Sequence, residues 1–324
     1  MNQLLTTVAT ALALLLVEAS APAQVPATAT RPTPSADVLP SFDTARTDAF
    51  SWVGRFGSTN CSWFDMGDGV LLLDTGATAE DARNLLAEVK RTCPDKPVRW
   101  VVMTHLHPDS NNGFAVMLPT DVTLIVNQRG VKNFLGLVRG AKGKAPTVLG
   151  VADMLVLVGK TQTLEIHATP APAHTLYDLW LYAPASNVVY VGDLVTPDRC
   201  PMTSDTGADP KGWLAALDSI EALHAAALVA TRGPSTVAVR EEILKTRAYL
   251  NRTVELVREM KAKTAPEARV SGEMFARKLG EYCPVQLDTI NALELYRRLQ
   301  PDGTFAPAKP APAPAPPPTP APKK

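Results

Sequence analysis

Short apolar runs alternate with amphipathic stretches through the middle of the chain. Val70–Leu73 and Trp100–Met103 contain only large apolar side chains, which is typical of buried strands. Further strand-like runs occupy residues 123–126, 154–158, 163–166, 179–182 and 188–191, and a Ser186-Asn187 turn joins the last two. The pattern therefore predicts strands that are short and numerous enough to build sheets.

Helix-forming stretches separate these runs. Thr78 and Asp81 have the spacing of a capping box, and the residues after them place apolar side chains on one face. Asp209 followed by Pro210 predicts another helix start, since aspartate caps helices and proline is tolerated at the first helical position. Helical periodicity returns at 239–263 and 287–299. Strands interleaved with helices, without an internal repeat, predict an α/β domain of packed layers.

The two ends of the chain differ in composition from this middle. Residues 1–23 resemble a secretory signal, with an apolar run and an Ala21-Pro22-Ala23 cleavage site. The first residues contain no Lys or Arg, so an uncleaved anchor is the alternative. Residues 24–43 predict a linker rich in Pro, Ala and Thr, and 303–324 a disordered Pro/Ala tail. We therefore expect a folded domain at 44–302 in a periplasmic or secreted protein.

Charge and apolar content restrict the classes of partner. Lys plus Arg and Asp plus Glu both number 32, which gives a formal net charge of zero. Nucleic-acid binding is not expected, because the basic patch that neutralises phosphates is missing. We expect a small-molecule substrate and no membrane span once the signal is removed. The sequence does not determine an oligomeric state.

Four cysteines follow the predicted signal: Cys61, Cys93, Cys200 and Cys283. In an exported protein an even number permits two disulfides, with three possible pairings. No pair has C-x-x-C spacing, so neither a redox motif nor a cysteine zinc site is indicated.

Three histidines have the spacing of metal ligands. His105 and His107 follow the strand-like run that ends at Met103, and both side chains of an H-x-H pair on extended backbone point to the same side. His174, from a distant segment, completes a three-histidine face with one coordination position open, which is typical of catalytic zinc. Asp109 is expected at the rim as the catalytic residue that orients a water or binds a second cation.

These residues resemble those of the metallo-β-lactamase superfamily. The resemblance is carried by Thr-His-Leu-His-Pro-Asp at 104–109, by Pro-Ala-His-Thr at 172–175 and by Tyr-Val-Gly-Asp at 190–193, and it covers about residues 50 to 235. It implies a four-layer αβ/βα sandwich with metals in a cleft at a sheet edge. His105, His107 and His174 then match the first metal site, Asp109 a ligand of the second, and Asp193 the carboxylate that bridges both.

Two positions depart from the family pattern. Ser110 stands where H-x-H-x-D-H has its last histidine, and Arg232 stands where a later histidine is expected. The second site thus lacks two imidazoles while Asp109 and Asp193 remain. Since two carboxylates without a cation repel each other, we expect Arg232 to replace the second metal with a permanent positive charge. Ser110 and Arg232 would then contact the substrate or supply the second-site charge.

The leading interpretation is a zinc hydrolase that uses one zinc ion, with two as the alternative. Its metal-bound hydroxide would attack an ester, lactone, thioester or β-lactam. His105, His174 and Asp193 also form a two-histidine, one-carboxylate set suited to Fe²⁺, so a persulfide dioxygenase is a second interpretation. A third is a metal-binding module that has lost catalysis.

Overall fold

The computed structural model describes residues 44–117, 121–138, 146–205, 207–264, 266, 267, 269 and 285–306. The predicted signal, the predicted linker and residues 307–324 of the predicted tail lie outside this part of the chain. Residues 303–306, by contrast, belong to the fold, because Phe305 forms a β-bridge with Leu299. The described residues thus include the first four of the predicted tail, and the predicted domain bounds stay a prediction.

Two sheets form the centre of the domain. The first contains, in spatial order, β1 (Ala45–Asp48), β2 (Ser51–Phe56), β3 (Thr59–Asp65), β4 (Val70–Leu73), β5 (Val98–Val102), β6 (Thr123–Asn127) and β7 (Thr147–Val151). The second contains β12 (Ala227–Val229), β11 (Val188–Tyr190), β10 (Leu179–Ala183), β9 (Thr163–Ala168) and β8 (Met154–Val158). Pairing is parallel from β4 to β7 and between β11 and β12, and antiparallel elsewhere.

The described helices are α1 (Ala79–Thr92), α2 (Pro108–Asn111), α3 (Val131–Val138), α4 (Pro210–Ala222), α5 (Val239–Ala262) and α6 (Val285–Arg298). The capping box predicted at Thr78 and Asp81 is present at the start of α1. Asp209 caps α4, and Pro210 occupies its first turn as predicted. None of the described helices combines the length and apolar character that a membrane span requires.

Apolar packing stacks these elements into four layers. The sheets face each other across a core in which the rings of Phe64 and Tyr190 meet edge to face at 4.9 Å. Leu85 of α1 and Phe134 of α3 pack on the outer face of the first sheet. Trp213 of α4 packs, together with α5, on the outer face of the second. The predicted αβ/βα sandwich is confirmed, and burial of these apolar faces is the main force that assembles it.

The strands predicted from apolar runs are confirmed as β4, β5, β6, β8, β9, β10 and β11. The strands β1, β2, β3, β7 and β12 were not predicted. In β2 and β3 both faces are largely buried, so their side chains do not alternate between apolar and polar.

The cysteines do not form two disulfides. Cys200 is disulfide-bonded, whereas Cys61 and Cys93 are free thiols buried in the apolar layer beneath α1. The expectation that the four cysteines can form two disulfides is therefore corrected: Cys61 and Cys93 form none.

Candidate metal centre

One end of the sandwich gathers the predicted ligands, because several strands finish there. His105 and His107 follow β5, and His107 is the N-cap residue of α2. His174 lies in the loop before β10, and Asp193 follows β11. Since β10 and β11 are antiparallel, with Leu181 opposite Tyr190, the loop before one and the end of the other lie side by side.

Four ligand atoms converge at this end. Those of His105, His107, His174 and Asp193 all lie within 4.8 Å of one another. His174 Nε2 is 3.2 Å from His107 Nδ1, and Asp193 Oδ2 is 3.6 Å from Nε2 of both His105 and His174. Ligand atoms that surround one tetrahedral zinc at about 2.0–2.1 Å lie roughly 3.3 Å apart. Three of the separations are close to this value, so these four residues lie near enough to one another to hold a metal ion.

Hydrogen bonds set the tautomer of His105. Thr104 Oγ1 donates its proton to Asp74 Oδ2 at 2.7 Å. The same hydroxyl oxygen is 2.8 Å from His105 Nδ1 and, having used its own proton, accepts the one on Nδ1. Nε2 of His105 is then left with a lone pair directed at the other ligands.

His107 and His174 are set in the same way by oxygen acceptors. The Nε2–H of His107 donates to Asp205 Oδ2 at 2.9 Å, which leaves its Nδ1 as the free lone pair. The Nδ1–H of His174 donates to the carbonyl of Met202 at 3.2 Å, which leaves its Nε2 free. Each imidazole therefore presents an unprotonated nitrogen to the same point, which is how outer hydrogen bonds prepare histidines for a metal.

The pKa shifts of two of the three histidines, His105 and His174, favour their neutral form. Burial lowers the pKa of His105 well below its ordinary value, and it lowers the pKa of His174 to about 4. At His107 burial acts in the same direction, but the hydrogen bond to Asp205 outweighs it and raises the pKa. Metal ligands must be deprotonated, so His105 and His174 can bind a metal at neutral pH without losing a proton.

Two buried atoms in this group have no hydrogen-bond partner among the described residues. They are Nε2 of His105 and Oδ1 of Asp193. Buried polar atoms are nearly always satisfied, and an unpaired imidazole nitrogen beside a carboxylate fits a metal ligand. The residues present therefore suit a metal cofactor, and the donor set of three nitrogens and one carboxylate can hold zinc or iron.

Arg232 lies between the carboxylates of Asp109 and Asp193. Its Nε donates to Asp193 Oδ2 at 2.9 Å, and its Nη2 donates to Asp109 Oδ2. Burial alone would raise the pKa of Asp193, but the nearby imidazoles and the guanidinium outweigh it and lower the pKa. The carboxylate of Asp109 thus contacts Arg232 and lies outside the group of four converging ligands.

The loop that carries Arg232 is held on two sides. Asn60 Nδ2 donates to the carbonyls of Ala230 (2.9 Å) and Gly233 (2.8 Å). Gly233 has a φ of +88°, and a Cβ there would lie 2.1 Å from the carbonyl oxygen of Pro197. A side chain at this position would clash with Pro197, so the loop requires glycine here to bring the guanidinium to the carboxylates.

Ser110 does not join the ligand group. It lies in α2, where its carbonyl accepts a hydrogen bond from the amide of Thr75 at 3.1 Å. Its hydroxyl oxygen is buried and has no partner among the described residues. The amide of Ser110 donates to the backbone carbonyl of His107 at 3.1 Å, so Ser110 lies beside the site, but its hydroxyl makes no hydrogen bond with the ligand atoms of the four residues.

Sequence reasoning did not find the residues that orient the histidines. Asp205 and Met202 belong to a segment without a recognisable pattern, and they contact histidines that are far away in the sequence. Asp74 directly follows β4, and no pattern in the sequence assigned it a role. Its carboxylate accepts hydrogen bonds from the amide and hydroxyl of Thr104 and from the side chains of Asn111 and Thr231.

A family profile decides the classification. The profile described as the metallo-beta-lactamase superfamily matches residues 54–232, which is more than half of the chain. The chain belongs to this superfamily. The matched range contains all four converging ligands and Arg232, and it ends before α5 and α6 begin.

Individual relatives are distant. A linear primary-alkylsulfatase from Pseudomonas sp. (strain ATCC 19151) is 22% identical over 221 residues, which cover 54% of this chain and 41% of the relative. The structure of the stereoselective inverting sec-alkylsulfatase Pisa1 from Pseudomonas sp. superposes with a TM-score of 0.59 at 18% identity and covers 78% of this chain and 49% of that one. The chain thus spans half or less of the alkylsulfatases that it matches.

A smaller relative fits inside the chain. A metallo-beta-lactamase from Pontibacter korlensis superposes with a TM-score of 0.53 at 21% identity, and the match covers 65% of this chain and 99% of that one. At such identities the likeness establishes the fold alone. This chain therefore contains segments that the smaller relative lacks.

We expect Asp74→Asn to destabilise the protein by about 2–3 kcal/mol, because an amide cannot accept four hydrogen bonds and would turn its own N–H towards donors. Burial raises the pKa of Asp74 to about 6, so the wild-type group is mostly ionised at pH 7.5. Urea unfolding at that pH, followed by tryptophan fluorescence, measures the loss. Asp68→Asn is the control, since this half-exposed carboxylate only faces Arg99 at 3.6 Å. Equal losses in both variants would contradict the role of Asp74.

Proposed function

We propose that this protein is a hydrolase that uses one metal ion bound by His105, His107 and His174, with the carboxylate of Asp193 beside it and one coordination position left for water. The observation that carries the proposal is the convergence of three unprotonated ring nitrogens and one carboxylate oxygen on a single point. We further propose that the metal is zinc, for which three histidines are a common catalytic ligand set. The relatives named above are hydrolases by their names, which supports the same reaction type.

The protein's own groups divide the work around this centre. When bound, zinc supplies Lewis acidity, which lowers the pKa of a coordinated water towards about 7 and polarises the bond to be cleaved. Hydrogen bonds from His107 to Asp205 and from His174 to Met202 fix the orientation of these two imidazoles. Thr104 does the same for His105. The side chain of Asp109 is 46% exposed at the rim, where it can orient an attacking water and hold its proton.

Arg232 replaces a second metal ion in this proposal. A second cation would need Asp109 and Asp193 as ligands, but the guanidinium of Arg232 already forms ion pairs with both carboxylates. Arginine cannot lose its proton in a protein, and its planar donors match carboxylates, so the positive charge at this place is permanent. The contacts support the sequence hypothesis of one metal, with Arg232 neutralising the carboxylates of the altered second site.

For the substrate we propose an anionic ester. Esters, lactones, thioesters and β-lactams all contain the polarised carbonyl that such a centre can attack, and the names of two relatives add sulfate esters to this range. The guanidinium of Arg232 is partly exposed beside the metal ligands, where it favours a negatively charged group on the substrate.

Iron-dependent oxygen chemistry is the second candidate. It is favoured by one observation, the equal 3.6 Å separations from Asp193 Oδ2 to Nε2 of His105 and of His174, which form a two-histidine, one-carboxylate face. Iron in the purified protein together with oxygen uptake on a persulfide would identify this activity. Metal binding without turnover of any ester or persulfide would instead indicate a binding module that has lost catalysis.

We also propose that the protein is exported to the periplasm or secreted. The apolar N-terminal segment with its A-x-A site supports export. The disulfide at Cys200 supports it independently, since disulfides persist mainly in oxidising compartments.

Metal content tests the single-metal centre. We expect one zinc per chain in the dialysed wild type and two per chain in Arg232→His, because an imidazole there can bind a second ion between Asp109 and Asp193. Arg232→Lys is the matched control and should hold one, since it keeps a cation at this position. Elemental analysis by mass spectrometry gives the ratios. Two zinc ions in the wild type would refute the proposed role of Arg232.

Substrate charge tests the second part of the proposal. We expect Arg232→Ala to lower kcat/KM for an aryl ester with a carboxylate on its acyl chain about 10- to 100-fold more than for the neutral ester of equal length, because two carboxylates would then face the anion without their cation. Arg240→Ala, which removes an exposed arginine paired with Glu221, is the control and should leave both values unchanged. Equal losses on the two esters would argue against anion binding.

A further inference from the structure

Two of the three imidazoles depend on one short segment, residues 200–205, which we call the 200–205 loop. The carbonyl of Met202 accepts the Nδ1–H of His174, and the carboxylate of Asp205 accepts the Nε2–H of His107. The loop contains neither helix nor strand. Local hydrogen bonds hold its end, where Asp205 accepts from the amides of Gly207 (2.6 Å) and Ala208 (3.0 Å). The rest of the loop, including Met202, depends on the elements that it packs against.

A buried asparagine of α6 holds this loop. Asn291 Oδ1 accepts hydrogen bonds from the amides of Thr203 (3.0 Å) and Ser204 (3.1 Å). Its Nδ2 donates to the carbonyl of Pro201 (2.8 Å) and to the hydroxyl of Tyr249 (2.8 Å). All four hydrogen-bonding positions of the amide are thus used, three of them on the loop backbone and one on α5.

Arg298, about two turns further along α6, provides a second attachment. Its Nη1 donates to the carbonyl of Asp205 at 3.3 Å, and its Nε donates to the carbonyl of Ala306 at 2.9 Å. Arg298 is 7% exposed and Asn291 is fully buried. Both attachments are therefore shielded from water, which would otherwise compete for the same loop atoms.

We propose that α6 is part of the metal centre, with Asn291 and Arg298 as positioning residues that hold Met202 and Asp205 against the metal-binding histidines. This inference rests on the proposed function, because it assumes that the three histidines bind a metal. It goes further in assigning a role in metal binding to a helix more than fifty residues beyond the range matched by the family profile. The path runs from α6 through the 200–205 loop to the imidazole N–H groups.

The proposal differs from a merely structural role in what it predicts for metal binding. Residues that fix the outer hydrogen bonds of a ligand typically change metal affinity by 10- to 100-fold. Asn291 is one hydrogen bond further from the metal ligands than Met202 and Asp205 are. We therefore expect a change in metal affinity near the lower end of this range, about tenfold. A residue that only stabilises the α5–α6 packing would lower the melting temperature and leave the affinity of the folded protein unchanged.

Co²⁺ binding to the metal-depleted full-length protein provides the test, because the visible absorption of Co²⁺ reports its ligand geometry independently of catalysis. We expect Asn291→Ala to weaken Co²⁺ binding about tenfold and to change the visible spectrum. Leu295→Ala is the matched control: Leu295 is a fully buried side chain of α6 in the apolar cluster with α5, and it should lower the melting temperature without changing affinity or spectrum. Arg298→Met is the second variant should Asn291→Ala fail to fold, and it is expected to weaken binding in the same direction.

The possible outcomes separate the two proposals. A wild type that binds no Co²⁺ at the histidines would overturn the metal centre itself. A wild type that binds Co²⁺, with variants at 291 and 298 that keep its affinity and spectrum, would overturn only the role of α6. Equal weakening by Leu295→Ala would also overturn it, since general loosening of the helix would then explain the effect.

Discussion

Each of the three clustered imidazoles donates its one ring proton to an oxygen atom outside the cluster, and the chemistry of this site depends on that arrangement. The acceptors are the hydroxyl of Thr104, the carboxylate of Asp205 and the carbonyl of Met202. Because every proton points outward, the three remaining ring nitrogens face one another and the carboxylate of Asp193, where a cation can bind. The fold thus builds a cation site by placing acceptors behind the rings.

The charges around this site underlie the proposal that one metal suffices. The carboxylate of Asp193 faces two imidazoles on one side and the guanidinium of Arg232 on the other, and Arg232 also reaches Asp109. Buried carboxylates need partners, and a permanent organic cation provides one without requiring ligands of its own. The positive φ of Gly233 and two hydrogen bonds from Asn60 hold the backbone of the loop that carries Arg232.

Local patterns made part of this site predictable. Two site motifs depend only on residues close in sequence: the H-x-H pair after one apolar strand and the Gly-Asp at the end of another. The capping box that starts α1, outside the site, follows the same kind of short-range rule. The acceptors behind the histidines follow no such rule. Asp205 lies 98 residues from His107, and Asn291 lies 88 residues from Thr203, so their contacts exist only once the sandwich and α6 have formed. The strands β2 and β3 were missed for a related reason, since burial on both faces removes the alternation that identifies a strand.

X-ray absorption spectroscopy of the zinc-loaded wild type tests the central claim most directly, because it counts imidazole ligands and detects a neighbouring metal in one measurement. The arrangement of lone pairs predicts three imidazoles among first-neighbour nitrogen and oxygen ligands at about 2.0–2.1 Å, with no metal–metal distance. A zinc–zinc distance of about 3.5–4 Å, or fewer than three imidazoles, would contradict the account.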